Sequence, residues 1–237
     1  MRRRRFLQSA ALGGAAMALA GPAVAGRAGG RPRQGWIIPT DTPDRFGLKV
    51  MAFNPIPIPD PARWELTLGG LADSPLKLRL PDLHQLPRIT QSSRLKCVQC
   101  WSGRVIWEGF RAGELLRLAQ PRPSAGWVRV DCADSYYDFV TLEDLAHPRT
   151  LFALGMAGEP LTPEHGAPLR LVIPFKYGYK SSKIITRLTF QAEGGQGMVA
   201  DASPYYSPTG DIKPGLDHPF DLPGPPRKIK GGEIVEY

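Results

Sequence analysis

Proline and glycine punctuate this chain so often that long helices have no room between them. Its 237 residues include 25 Pro and 26 Gly, and these recur between short apolar runs. Proline fixes φ and removes an amide donor, so it ends helices and stays out of central strands. The extreme case is Asn54-Pro55-Ile56-Pro57-Ile58-Pro59, where proline at alternate positions predicts an extended segment wrapped over the surface.

The runs between the breakers mostly alternate. Trp64 to Leu68 and Leu76 to Leu80 read as half-buried strands on either side of a Gly69-Gly70 turn. Strands are also predicted at Leu95 to Cys97, Trp127 to Val130, Leu151 to Leu154, Leu169 to Ile173 and Ile184 to Phe190, with a loop from Cys97 through Gly109. Short helices are expected near Pro81, over Ala112 to Leu118, and at Thr141 to Leu145, where a threonine stands at the cap position. The irregular mixture implies an α+β fold with mixed sheets and short helices. No internal repeat is present.

The first 25 residues have a different character. Met1 is followed by Arg2 to Arg5, then a short apolar stretch and Ala23-Val24-Ala25. A basic start, a short apolar run and a small-x-small exit describe a secretory signal peptide. The run is Gly- and Ala-rich and short of the roughly 20 apolar residues of a membrane span. The order Arg3-Arg4-x-Phe6-Leu7-Gln8 further resembles a twin-arginine signal, which exports proteins already folded around a cofactor. Residues 26–35 then read as a flexible leader, and 26–237 as a single domain in the periplasm that does not itself span the membrane.

Removing residues 1–25, with four arginines and no acid, lowers the formal charge from +8 to +4. That modest excess suits anions and soluble behaviour. The remaining sequence has no run of five basic residues and no nucleic-acid-binding motif, so no nucleic-acid partner is expected.

Three cysteines remain to be explained: Cys97, Cys100 and Cys132. Cys97-Val98-Gln99-Cys100 is a C-x-x-C, but Trp101 stands where a c-type haem site needs His. A zinc site lacks a second ligand pair. A thioredoxin-like pair should open a helix within a βαβ unit, which the following elements do not supply. An exported disulfide stays open, as does a thiol-disulfide enzyme using Cys97 and Cys100.

The surroundings of the pair offer another reading. Leu95-Lys96-Cys97-Val98-Gln99-Cys100-Trp101-Ser102 is followed by Trp107-Glu108-Gly109-Phe110. Further on stands His165-Gly166-Ala167-Pro168-Leu169-Arg170, then Lys176-Tyr177-Gly178-Tyr179-Lys180-Ser181-Ser182-Lys183. These two signatures together resemble the sulfite oxidase family of molybdopterin-dependent oxidoreductases. Within it the likeness is greatest to catalytic subunits of periplasmic methionine sulfoxide reductases. The likeness runs from about Trp64 to about Phe190.

The resemblance implies a sulfite-oxidase-type molybdopterin-binding fold, molybdopterin with one molybdenum as cofactor, and no haem in this chain. It assigns Cys97 as the thiolate ligand to the metal and leaves Cys100 as a small buried residue. A soft thiolate is the protein ligand such a metal prefers. The resemblance also implies pterin contacts at His165, Arg170, Ser181, Ser182 and Lys183. Arg170 offers a planar fork for phosphate, although an ordinary strand salt bridge is the plain alternative. Lys176 and Lys180 read either as contacts or as a solvated basic rim. Looser correspondences place Asp41, Asp44 and Arg45 at the pterin. Cys132 falls where a relative has a cofactor-contacting threonine, and thiol is the poorer donor. Tyr136 and Tyr137 fall near the substrate, with strand packing as the alternative.

The activity implied is oxygen-atom transfer, with electrons passed to or from a separate cytochrome or membrane haem subunit. The region after Cys97 lacks the Asn-Arg-Arg cluster of animal and plant sulfite oxidases. That favours reduction of a sulfoxide or other S- or N-oxide. The alternatives are a sulfite dehydrogenase passing electrons to cytochrome c and a cofactor-free binding module. The tail from Tyr205 to Tyr237 departs from the sulfoxide-reducing relatives. The length leaves no room for the dimerisation domain of sulfite oxidases, so a monomeric catalytic unit is expected.

Overall fold

Alternation in Glu65–Gly70 turns Leu66 and Leu68 inward and makes this stretch the first strand, β1. It pairs antiparallel with β2 (Leu76–Arg79) and parallel with β10 (Ile185–Gln191). On the far side of β10 lie β5 (Trp127–Cys132) and β6 (Tyr137–Thr141), giving the order β2-β1-β10-β5-β6. The parallel pair within an otherwise antiparallel sheet makes it mixed, as expected. The computed structural model of the protein describes residues 44–52, 54–97, 102–202, 206–213, 216–217, 227–228 and 236–237. The signal, the leader, Asp41, Cys100 and Trp101 lie outside these described residues.

The second sheet runs β3 (Arg88–Lys96), β4 (Ser102–Arg111), β7 (Leu151–Met156) and β8 (Glu159–Pro160), with β9 (Arg170–Val172) also on β7. All six residues of β7 are buried, as a strand with neighbours on both edges and layers on both faces requires. Between the sheets Val128, Val130, Leu188 and Phe190 meet Phe110, Phe152, Leu169 and Leu171 in one apolar core. Trp64 closes it by donating its indole N–H to Ile185 O at 3.1 Å.

Two expectations need correction. The stretch after Cys97, read as a loop through Gly109, is largely the ten-residue strand β4. Val105 and Trp107 face inward while Arg104 and Ile106 face outward, a strand period interrupted by glycines. At Gly103 a Cβ would stand 2.5 Å from the tip of the Leu48 side chain and 3.2 Å from the Phe46 carbonyl oxygen, so the segment before β1 packs closely on this strand. The second correction is β6, which alternation missed because one inward residue is Asp138, not an apolar side chain.

The described helices are short, the longest being α2 (Ala112–Ala119). α1 spans Leu80–His84 and α3 spans Leu142–Ala146, where Thr141 Oγ1 accepts the Asp144 amide at 2.9 Å as an N-cap should. A further helix, α4, spans Met198–Ala202, and β11 (Leu216–Asp217) pairs with β12 (Arg227–Lys228). No described helix is long and apolar enough to cross a membrane. The proline-rich segment has no regular strand and is pinned at Ile56, fully buried, while Ile58 is exposed.

Candidate functional site

The two sequence signatures meet in space although about eighty residues separate them. β3 carries Cys97 just past its end, and the chain that follows β9 docks on that end. Arg94 donates through Nη2 to Pro174 O at 3.3 Å, and Lys96 forms a parallel bridge with Tyr177. Gly178 sits so close to Lys96 that a Cβ would stand 3.2 Å from its carbonyl oxygen. Cys97 itself is half-buried and packs against the cluster of Tyr177 and Tyr206, as does Tyr179.

The second signature also gathers a cluster of cationic groups, Arg170, His165 and Lys183. Arg170, at the start of β9, is buried and stacks over the Trp107 ring with 5.1 Å from guanidinium carbon to centroid. Its Nη1 donates to His165 O at 3.1 Å, while its Nε has no hydrogen-bond partner in the protein. His165 Nε2 lies 3.0 Å from Asp44 Oδ2. Asp44 is shaped for this by accepting the Phe46 and Leu48 amides on Oδ1 at 2.8 and 2.9 Å. Lys183 donates to Met51 O at 2.6 Å and Glu164 O at 3.0 Å, both neutral carbonyls. Gly166 (φ +103) lets the His165 turn pass against the Lys183 side chain.

Burial sets the electrostatics. It pulls the Lys183 ammonium down to about 7, with Arg170 pushing the same way. It lowers Arg170 to about 10. His165 is lowered by burial and by Arg170, against the opposing pull of Asp44. Such a cluster holds its charge only at a free-energy cost, and an anion placed among these groups would relieve it. Trp107 Nε1 is also buried without a hydrogen-bond partner in the protein. Unmade polar bonds beside surplus positive charge describe a cradle for a polar, negatively charged ligand.

The remaining predicted residues divide clearly. Cys132 ends β5 beside Ser182, and burial, followed by Asp134, pushes its thiol well up, so it is neutral. Ser181 Oγ is engaged internally, accepting the Ile173 amide at 3.1 Å. Tyr136 reaches the junction by donating to Tyr179 O at 2.7 Å, and burial raises its phenol well above the usual range. Tyr137 does not reach it. Its hydroxyl binds Asp201 at 2.5 Å, and its ring lies under the Arg129 guanidinium. Arg45 points to solvent in an exposed pair with Glu159 at 2.8 Å.

Lys176 and Lys180, one reading of which was a solvated rim, are both buried. Lys176 bonds Asp211 at 2.7 Å and lies 3.2 Å from Asp144. Although burial works against its charge, these carboxylates raise it above the ordinary lysine value. Lys180 donates to Asp138 Oδ1 at 2.6 Å. Sequence reading missed Trp107 as the platform under Arg170 and Asp138 as the partner of Lys180. An acidic residue in an otherwise alternating strand was the available signal for the second.

Comparison with known proteins follows the same lines. Residues 53–199 match the family described as oxidoreductase molybdopterin binding domain. The chain is 30% identical over 275 residues to the protein-methionine-sulfoxide reductase catalytic subunit MsrP of Ralstonia nicotianae, covering 97% of this chain and 82% of that protein. It is also 30% identical over 174 residues to the subunit of the same name from Campylobacter jejuni, covering 66% of this chain and 59% of that protein. Among solved structures, the sulfane dehydrogenase SoxCD of Paracoccus pantotrophus has a like fold, with TM-score 0.57 at 23% identity. That likeness covers 73% of this chain and 46% of the other.

Proposed function

This chain belongs to the oxidoreductase molybdopterin binding domain family and is a molybdopterin-dependent oxidoreductase, and from that premise we propose that it reduces a sulfoxide or other S- or N-oxide. The observation that carries the reading is the docking of the second signature on the strand that leads to Cys97, together with the cluster of Arg170, His165 and Lys183 that the same signature gathers. The orphaned Arg170 Nε and Trp107 Nε1 fit a phosphorylated, multiply hydrogen-bonding cofactor.

In this reading Arg170, Lys183 and His165 bind the anionic part of molybdopterin, with Asp44 orienting His165. Cys97 supplies the thiolate for molybdenum. The cofactor, when bound, supplies two-electron oxygen-atom transfer. Trp107 and the buried face of β9 hold the guanidinium in place and keep water from it. Electrons come from a separate haem protein, a role supported by the likeness to catalytic subunits. The basic, short-apolar N-terminus supports export to the periplasm by the twin-arginine route.

The test is to purify the protein from a host that makes molybdopterin and measure molybdenum per chain. The holoenzyme is then assayed with reduced viologen plus S- and N-oxides, and with sulfite plus ferricyanide. Stoichiometric molybdenum with viologen-linked reduction is the expected result. Sulfite oxidation alone would reverse the direction of catalysis, and an intact fold without molybdenum would leave a binding module.

A further inference from the structure

Residues 206–213 form a strap laid across the second signature. Four of the five residues from Lys176 to Lys180 hold it. Tyr177 N donates to Gly210 O at 2.7 Å, and the Tyr177 hydroxyl accepts the Lys213 amide at 3.2 Å. Tyr179 donates to Ser207 O and Lys180 to Pro208 O, both at 2.7 Å. Lys176 pairs with Asp211 through side chains and through a backbone bridge. The strap in turn brings Tyr206 and Ile212 into the cluster around Cys97, with the Tyr206 ring edge-on to Tyr179 at 5.9 Å.

We infer that this strap is a wall of the substrate site, and that Tyr206 and Ile212 select neutral S-oxides flanked by apolar groups. The inference rests on the function proposed above. Cys97 packs on a cluster formed by Tyr177 and Tyr206, and the other groups on that cluster, Tyr179, Val199 and Ile212, are aromatic and aliphatic as well. The two buried lysines of this stretch are matched internally, Lys176 to Asp144 and Asp211, Lys180 to Asp138. An anionic substrate would have to compete with those carboxylates, whereas an uncharged sulfoxide meets apolar surface. The reaction served is R2S=O + 2 electrons + 2 H+ giving R2S + H2O. The S–O bond breaks, sulfur is reduced, and the haem partner supplies the electrons.

The experiment compares holoenzyme carrying Ile212→Ala, Tyr206→Ala or Tyr206→Phe with the parent. Each is assayed on dimethyl sulfoxide, methionine sulfoxide and methyl phenyl sulfoxide. Molybdenum per chain is measured alongside, and calorimetry gives the Kd of the thioether product methyl phenyl sulfide. The two Ala variants should raise KM for methyl phenyl sulfoxide, and Kd for its thioether, roughly tenfold. The loss in kcat/KM for dimethyl sulfoxide should be at least several-fold smaller than that for methyl phenyl sulfoxide, at unchanged molybdenum content, since a small substrate meets less of the wall. Tyr206→Phe keeps the ring and should restore parental selectivity if Tyr206→Ala proves unstable. Equal KM changes for all three substrates, or loss of molybdenum together with kcat, would overturn the role in selection. A parent enzyme that reduces none of them would instead overturn the function on which the inference rests.

Discussion

Lys180 Nζ and Asp138 Oδ1 lie 2.6 Å apart, with both side chains almost wholly buried. The pair ties the second signature to β6, and the same ammonium reaches Phe139 O and Pro208 O. Burial raises the Asp138 carboxyl to about 6 against the pull of Lys180, and it lowers Lys180.

Breaking that pair from one side should be costly. Asp138→Asn leaves a buried ammonium without its counter-charge, and the expected loss of stability is about 3–5 kcal/mol. Denaturant unfolding measures it. The double variant Asp138→Asn, Lys180→Met should recover part of the loss, because no buried charge is then left alone; a further full loss would show that the pair does not act as a unit.

Cys97→Ser should lower activity by at least about 100-fold with the fold intact, since hydroxyl is a poor substitute for thiolate at a soft metal. Cys100→Ser should leave activity near the parental value. Loss of activity in the second variant would restore the dithiol reading. Circular dichroism and turnover on the same preparations separate the outcomes.

Arg170→Lys keeps charge but loses the planar fork and the stack on Trp107. Cofactor retention should fall roughly 10–100-fold, read as molybdopterin and molybdenum per chain after dialysis. Full retention would mean that Arg170 serves the fold alone.

Lys183 gives a pH signature. Its folded value of about 7 lies below the ordinary 10.5. Between those values the unfolded chain holds a proton that the fold has released. Stability of the cofactor-free protein therefore rises with pH from about 7 to 10.5, and is lowered at and below 7 by the buried charge. Thermal melts across pH 7–10 should show this slope, and Lys183→Met should flatten it. An identical slope in that variant would place the titration elsewhere.

Two candidate residues are expected to be nearly silent. Arg45→Ala removes an exposed pair with Glu159, worth under about 1 kcal/mol. Tyr137→Phe removes a surface bond to Asp201. Turnover more than about threefold below the parent in either would bring that residue back into the site.

Read in order, the residues alone were enough for the class of fold, the strands over Trp64 to Leu68 and Trp127 to Val130, the Thr141 cap and both signatures. Each of these is local: alternation, a cap or a spacing is complete within a few neighbours. Sequence also gave reason to separate Cys97 from Cys100, through the missing partners of haem and zinc sites. Only the tertiary structure decided which cations are shared with carboxylates and which are not. Lys176 and Lys183 look alike in sequence. One faces Asp211 and Asp144 and is raised, while the other is enclosed with Arg170 and brought to about 7. The physical reason is that a buried charge is set by groups brought from distant parts of the chain. Asp138 to Lys180, Asp44 to His165 and the strap to Tyr177 are contacts that no local pattern encodes.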